Sequence, residues 1–287
     1  MKKAILGAVF FLLAVILLSA VLSPPVFWIV DSWMPRVFPF RRVFNRMVMI
    51  SALVSLWPLA RYWGVASWKQ LGLADPAWKK EWLRGLALGC ATMAVLFSLH
   101  LIGGARAWLN NLGGQKIAAF LATALVVGFL EELLFRGLFF HALREKLGKW
   151  AGLWAVLLSA FFADAHFLKA QNVALPIHWQ SGWEAWGGIL PTLSQTVEIL
   201  PHWFSLFLVG LILCAAVWRQ RSLWLAIGLH TGWILILKCG ESLTIPSPLL
   251  PNFWFGETVT TGAWAIFLLF GLLAVFLAPS RHQQPTR

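Results

Sequence analysis

The sequence predicts an all-α fold: a polytopic membrane helix bundle of about eight transmembrane helices with a polar intramembrane cavity. Three observations predict it. The 287 residues are 60% hydrophobic and only 12% charged, about half the charge of an ordinary soluble domain. A chain with mean hydropathy +0.75 cannot hide its apolar residues in one water-soluble core. The 19 Trp against 1 Tyr point the same way, because indole rings collect at the membrane–water interface.

Segments able to cross about 30 Å of hydrocarbon recur along the chain. The first, Ala4 to Val21, follows Met1-Lys2-Lys3 like a signal peptide. Ser23-Pro24-Pro25 is a poor cleavage context, so it reads as a retained helix. Then come Met47 to Ala60, Leu83 to Ile102, Ile117 to His141, Trp150 to Leu168, Trp203 to Trp218, Leu223 to Lys238 and Thr261 to Leu277. The second and sixth are short. The organisation expected is 1–116 for N-terminal helices with interfacial loops, 117–240 for a catalytic core, and 241–287 for a loop, the last helix and a tail. Residues 169–202, with His178, Trp179, Trp183 and Trp186 among Gly and Pro, read as an interfacial or re-entrant segment whose role as lid, anchor or connector is open.

Loop charge sets the expected orientation. With the N-terminus inside, Lys and Arg number fourteen on the inner side and eight on the outer, which places both termini in the cytoplasm. Arg36, Arg41, Arg42 and Arg46 oppose that assignment, and an interfacial helix between Phe27 and Arg46 would ease the conflict. Compact length and short loops suggest a bacterial inner membrane. The net charge of +12 lies in short clusters between apolar runs, so anionic headgroups are the expected partner and nucleic acid is not. Cys90, Cys214 and Cys239 lie in apolar runs without a CxxC pair and read as small core residues.

The chemistry is expected where charge enters the bilayer. Glu131-Glu132-Leu133-Leu134-Phe135-Arg136 lies inside the fourth apolar run. Each buried charge there costs roughly 2.5–3.5 kcal/mol on insertion scales, so these side chains must face the bundle interior. Glu132 and Arg136 are i, i+4 and can pair. Glu131 is turned about 100° away and is left without that partner, as befits a general base that takes a proton from water. The plainer reading is a structural Glu–Arg pair that holds two helices in register. The fifth run ends in Phe162-Ala163-Asp164-Ala165-His166, and the seventh holds His230. One membrane histidine is usually a helix–helix hydrogen-bond partner, but two on separate helices beside a doubled Glu point to one pocket. At 1.5 Å per residue Glu131 and His230 lie about 15 and 12 Å deep, whereas His166 counts about 24 Å. Asp164 falls on nearly the opposite face from His166 and reads as a helix contact.

E-E-x-x-x-R at Glu131 to Arg136, F-x-x-x-H at Phe162 to His166, and His230 on a third run together resemble the CPBP (Abi) intramembrane proteases, which include the type II CAAX prenyl endopeptidases. The resemblance spans roughly 117–238. It implies an intramembrane endopeptidase in which Glu131 activates water, His166 orients that water or stabilises charge, and Glu132, Arg136 and Phe162 brace the site. The family's H-x-x-x-N motif pairs His230 with Ile234, which leaves the oxyanion side one donor short; Thr231 or the Trp233 indole could substitute. No H-E-x-x-H occurs, so a metal-free glutamate mechanism is favoured. Zinc on Glu131, His166 and His230 is the alternative. The expected substrate is a membrane-associated protein or peptide. The competing reading is a non-catalytic membrane scaffold or immunity protein that keeps the polar cluster for folding. A proton-coupled transporter is a third, but paired repeats and broken helices are not visible.

Overall fold

The computed structural model describes residues 2–35, 38–109, 114–168, 170, 173–187, 196–247 and 253–278. Each of the eight expected spans is a helix. In order, α1 is Lys2–Trp33, α2 Phe40–Tyr62, α3 Trp78–Ile102, α4 Gly114–Glu132, α5 Ala142–Leu147, α6 Ala151–Phe167, α7 Ser181–Gly187, α8 Thr196–Gln220, α9 Trp224–Leu243 and α10 Ala263–Leu277. A nine-residue π-helix, Leu133–His141, continues α4, and a 3-10 turn, Gly148–Trp150, leads into α6. Among the described residues five helical stretches are long and apolar enough to cross a membrane, α6 counting with α4 in one. The exceptions to an all-α chain among the described residues are two three-residue strands, β1 (Arg106–Trp108) and β2 (Thr244–Pro246), which pair antiparallel.

The chain divides into two compact units, 1–66 with 164–200, and 67–163 with 201–287. In the first, α1 packs on α2 and α7. Its 32 residues make it about 48 Å long, longer than the expected span. The stretch read as a candidate interfacial helix is thus the end of α1 and the start of α2; Arg36 lies outside the described residues. Pro24 and Pro25 sit inside α1 and cannot donate to the carbonyls of Ala20 and Val21. Gly182 of α7 packs directly on that Ala20 carbonyl, where any side chain would clash. Trp186 Nε1 donates to Ser19 Oγ (3.0 Å) and Trp28 Nε1 to the Ile177 carbonyl (3.2 Å). So the part of 169–202 from Ile177 to Trp186 is bound to α1; 169, 171–172 and 188–195 lie outside the described residues.

In the second unit the most extensive contact is α3 against α9. Its cause is two pairs of glycines four residues apart, Gly85 and Gly89 on α3 facing Gly228 and Gly232 on α9. A β-carbon on Gly85 would meet the Leu225 carbonyl, one on Gly228 the Trp82 carbonyl, and one on Gly232 the Leu86 carbonyl at 2.6 Å. Small residues at this spacing let two backbones touch, the principal source of helix association in lipid. Gly128 extends the contact to α4, since a β-carbon there would lie 2.7 Å from Thr231 Oγ1. His230 therefore sits in the middle of a stretch of α9 clamped from two sides. All three cysteines are free thiols.

Candidate functional site

The polar cluster is assembled where α4 passes into the π-helix and faces α9. Glu132 and Arg136 form the expected pair, with Nη1 donating to Oε1 at 2.9 Å and both side chains almost wholly buried. That Glu132 oxygen also accepts from His230 Nδ1 at 2.9 Å. A carboxylate cannot donate, so the imidazole carries its proton on Nδ1 and turns Nε2 the other way. Nε2 then faces Glu131 Oε2 at 3.9 Å, beyond direct hydrogen bonding but close enough for one oxygen atom to reach both. Glu131 is the open member of the cluster: its side chain is 31% exposed against none of Glu132. Its Oε2 is buried and has no hydrogen-bond partner among the described residues.

Arg136 is held through both Nη atoms and one ring face, while its buried Nε has no hydrogen-bond partner among the described residues. Nη2 reaches the Gly210 carbonyl of α8 at 3.4 Å, and the guanidinium lies 4.2 Å from the centre of the Phe162 ring. A desolvated cation over an aromatic face gains about 2 kcal/mol, which gives the Phe of the second motif a physical task. The same ring meets the His230 imidazole edge-on, with centroids 6.1 Å apart. Phe162 thus touches both the cation and the imidazole that Glu132 joins.

Of the residues expected at the site, Glu131, Glu132, Arg136, Phe162 and His230 come together. His166 lies in the last turn of α6 and belongs to the other compact unit. Ile234, half-buried, follows His230 by one turn of α9. Of the two substitute donors, Trp233 is committed elsewhere, its Nε1 donating to Thr92 Oγ1 at 2.8 Å. Thr231 Oγ1 is buried with no partner among the described residues. Two contributions escaped sequence reasoning. The Glu132–His230 bond joins residues 98 apart, and only the packing of α4 on α9 reveals it. The glycine pairs behind that packing were readable as small-x-x-x-small spacing. Among the described residues no three His, Cys, Asp or Glu side chains are spaced to hold a metal ion.

The fold and cluster define an all-α integral membrane protein with a carboxylate–imidazole centre braced by a buried arginine. Residues 113–236 match the family described as type II CAAX prenyl endopeptidase Rce1-like, the group that the three motifs resemble. The match takes in α4, α6 and the part of α9 that carries His230, under half of the chain. No curated protein and no solved structure matches.

Proposed function

We propose that this chain is an intramembrane endopeptidase that hydrolyses a peptide bond of a membrane-associated protein or peptide. The observation that carries the reading is the 3.9 Å separation of Glu131 Oε2 and His230 Nε2, with His230 fixed from behind by Glu132. A water hydrogen-bonded to Glu131 gives its proton to the carboxylate, and its oxygen attacks the peptide carbonyl carbon. The C–N bond then breaks, and the proton held by Glu131 passes to the departing amine. Charge that develops on the carbonyl oxygen is met by His230 once Nε2 has taken a proton from solvent water, so that Nδ1–H stays on Glu132 and Nε2–H faces the oxyanion, the proton returning to solvent after the C–N bond breaks. Thr231 is the neighbouring hydroxyl able to add a donor where the family's asparagine is replaced by Ile234. The similarity to Rce1-like endopeptidases supports the reaction class. It does not carry over their prenylated substrates, and in an inner bacterial membrane anchored peptides, leader sequences or sorting-signal tails fit better. His166 belongs to the proposal through its motif.

Glu131→Gln keeps shape and removes the base. Cleavage of a substrate found by comparing membrane proteomes should fall by about 10²- to 10⁴-fold, the usual worth of a general base, with the melting temperature unchanged. Undiminished cleavage would overturn the mechanism. A folded variant that loses function while no substrate accumulates would favour the scaffold reading.

A further inference from the structure

Away from this cluster, the second unit holds a cavity of about 660 Å³ between α6, α8 and α10, within the roughly 300–1,000 Å³ of ligand pockets. Its depth is apolar, lined by Ala155, Val156, Leu211, Ala215, Leu273 and Phe276. Its mouth is basic. Arg219 and Arg221 line the cavity, and an adjoining smaller one adds Arg144 with a single carboxylate, Glu145. Arg144 and Arg221 lie close enough to repel each other. Arg221 makes no ion pair among the described residues. Trp218, 49% exposed, borders both cavities and sets the mouth at headgroup level.

The backbone holds these charges in place. Arg219 Nη1 donates to the carbonyls of Val275 (2.8 Å), Ala278 (2.9 Å) and Phe276 (3.4 Å), tying the end of α10 to the rim. Arg221 has φ 54, and among the described residues it alone, glycines aside, occupies the left-handed region that favours glycine. His141 bridges its carbonyl to that of Gln70, at 3.1 and 3.0 Å.

We propose that this cavity is a binding site for one anionic phospholipid, the phosphate at Arg144, Arg219 and Arg221 and an acyl chain between α6, α8 and α10. Charge decides the occupant. Three arginines against one carboxylate suit a phosphodiester, and an apolar groove beneath them suits a lipid tail rather than free phosphate. The chain after Ala278 carries Arg281 and Arg287 and no acidic side chain, so it does not complement the mouth. The expected orientation puts these arginines on the cytoplasmic side, where basic pockets between helices take anionic headgroups.

The test titrates delipidated full-length protein in detergent with phosphatidylglycerol and with phosphatidylcholine of the same chains, counting bound lipid by native mass spectrometry. Phosphatidylglycerol should bind at least tenfold tighter. The double variant Arg144→Gln, Arg221→Gly should weaken it about thirtyfold, roughly 1 kcal/mol for each arginine near an anionic surface, and weaken phosphatidylcholine, whose choline offsets its phosphate, by a much smaller factor. Arg221→Gly relieves the left-handed backbone, so an unchanged or raised melting temperature without lipid separates lost charge from lost fold. Ala215→Trp, which fills the groove and keeps the charges, should weaken both lipids. Equal binding of the two lipids, an affinity that survives the double variant, or inorganic phosphate bound as tightly as phosphatidylglycerol would each overturn the proposal.

Discussion

At the scale of single residues, the two adjacent glutamates stand in opposite surroundings, Glu131 partly exposed and Glu132 wholly buried. Glu132 is buried, accepts from Arg136 and His230 through one oxygen, and neutralises a guanidinium that touches no solvent. Removing one partner of a buried ion pair costs about 3–5 kcal/mol, since the other charge stays behind. Glu132→Gln should therefore lower thermal stability in detergent sharply, whereas Glu131→Gln should not; equal melting temperatures would contradict the division of labour. Phe162→Leu is the finer probe. It keeps an apolar side chain but removes the ring beneath Arg136, so about 2 kcal/mol should be lost with the cation–π contact besides the cost of the smaller side chain, while Phe161→Leu, whose ring meets Phe135 and not the guanidinium, should lose less. The Glu132–Arg136 pair, and the separation of Glu131 from that arginine, were legible from i, i+4 spacing alone. The imidazole that closes the cluster was not, because nothing local tells which carboxylate a histidine 98 residues away will reach.

At the scale of elements, the site depends on how closely α9 approaches α3 and α4. Gly228 and Gly232 flank His230 in the run Gly228-Leu229-His230-Thr231-Gly232, so the contacts that bury α9 also set the height and rotation of the imidazole. Gly228→Leu would drive a side chain into the Trp82 carbonyl, and the protein should fail to fold or aggregate on extraction. Gly128→Ala is milder. It places a methyl 2.7 Å from Thr231 Oγ1, and parting α4 from α9 by a few tenths of an ångström lengthens the Glu131–His230 gap. Activity should drop at least tenfold with most of the stability kept. Gly152→Ala, with open space around it, serves as control and should stabilise α6 by about 0.5–1 kcal/mol. The helices were legible from their apolar runs, although length and hydropathy alone mark five stretches, leaving out α9, which carries His230, and the fifteen-residue α10. The passage of α4 into a π-helix just past Glu132 was not, since a π turn leaves the composition unchanged and arises from packing.

At the scale of the whole molecule, orientation follows from charge, and α1 is where charge and length meet. A helix of 32 residues is about 18 Å longer than the hydrocarbon is thick, so one end must stand clear of it. The positive-inside rule predicts that Lys2 and Lys3 hold the N-terminal end at the inner surface, an orientation that would send Asp31 and Trp33 beyond the outer one. The first turns of α2, with Arg41, Arg42 and Arg46, follow there. These arginines oppose the rule locally but are outvoted by the basic residues that flank α3, α5 and α8. Two outcomes check this. A cysteine placed at Asp31 in a chain stripped of Cys90, Cys214 and Cys239 should react with a membrane-impermeant maleimide added outside intact cells, and one placed at Lys69 should react only after lysis. Changing Arg41, Arg42 and Arg46 to Gln should raise the fraction of chains in that orientation, because it removes the opposing charge. If Asp31 is shielded and Lys69 is labelled from outside, both termini are extracellular and the lipid-binding mouth lies in the outer leaflet.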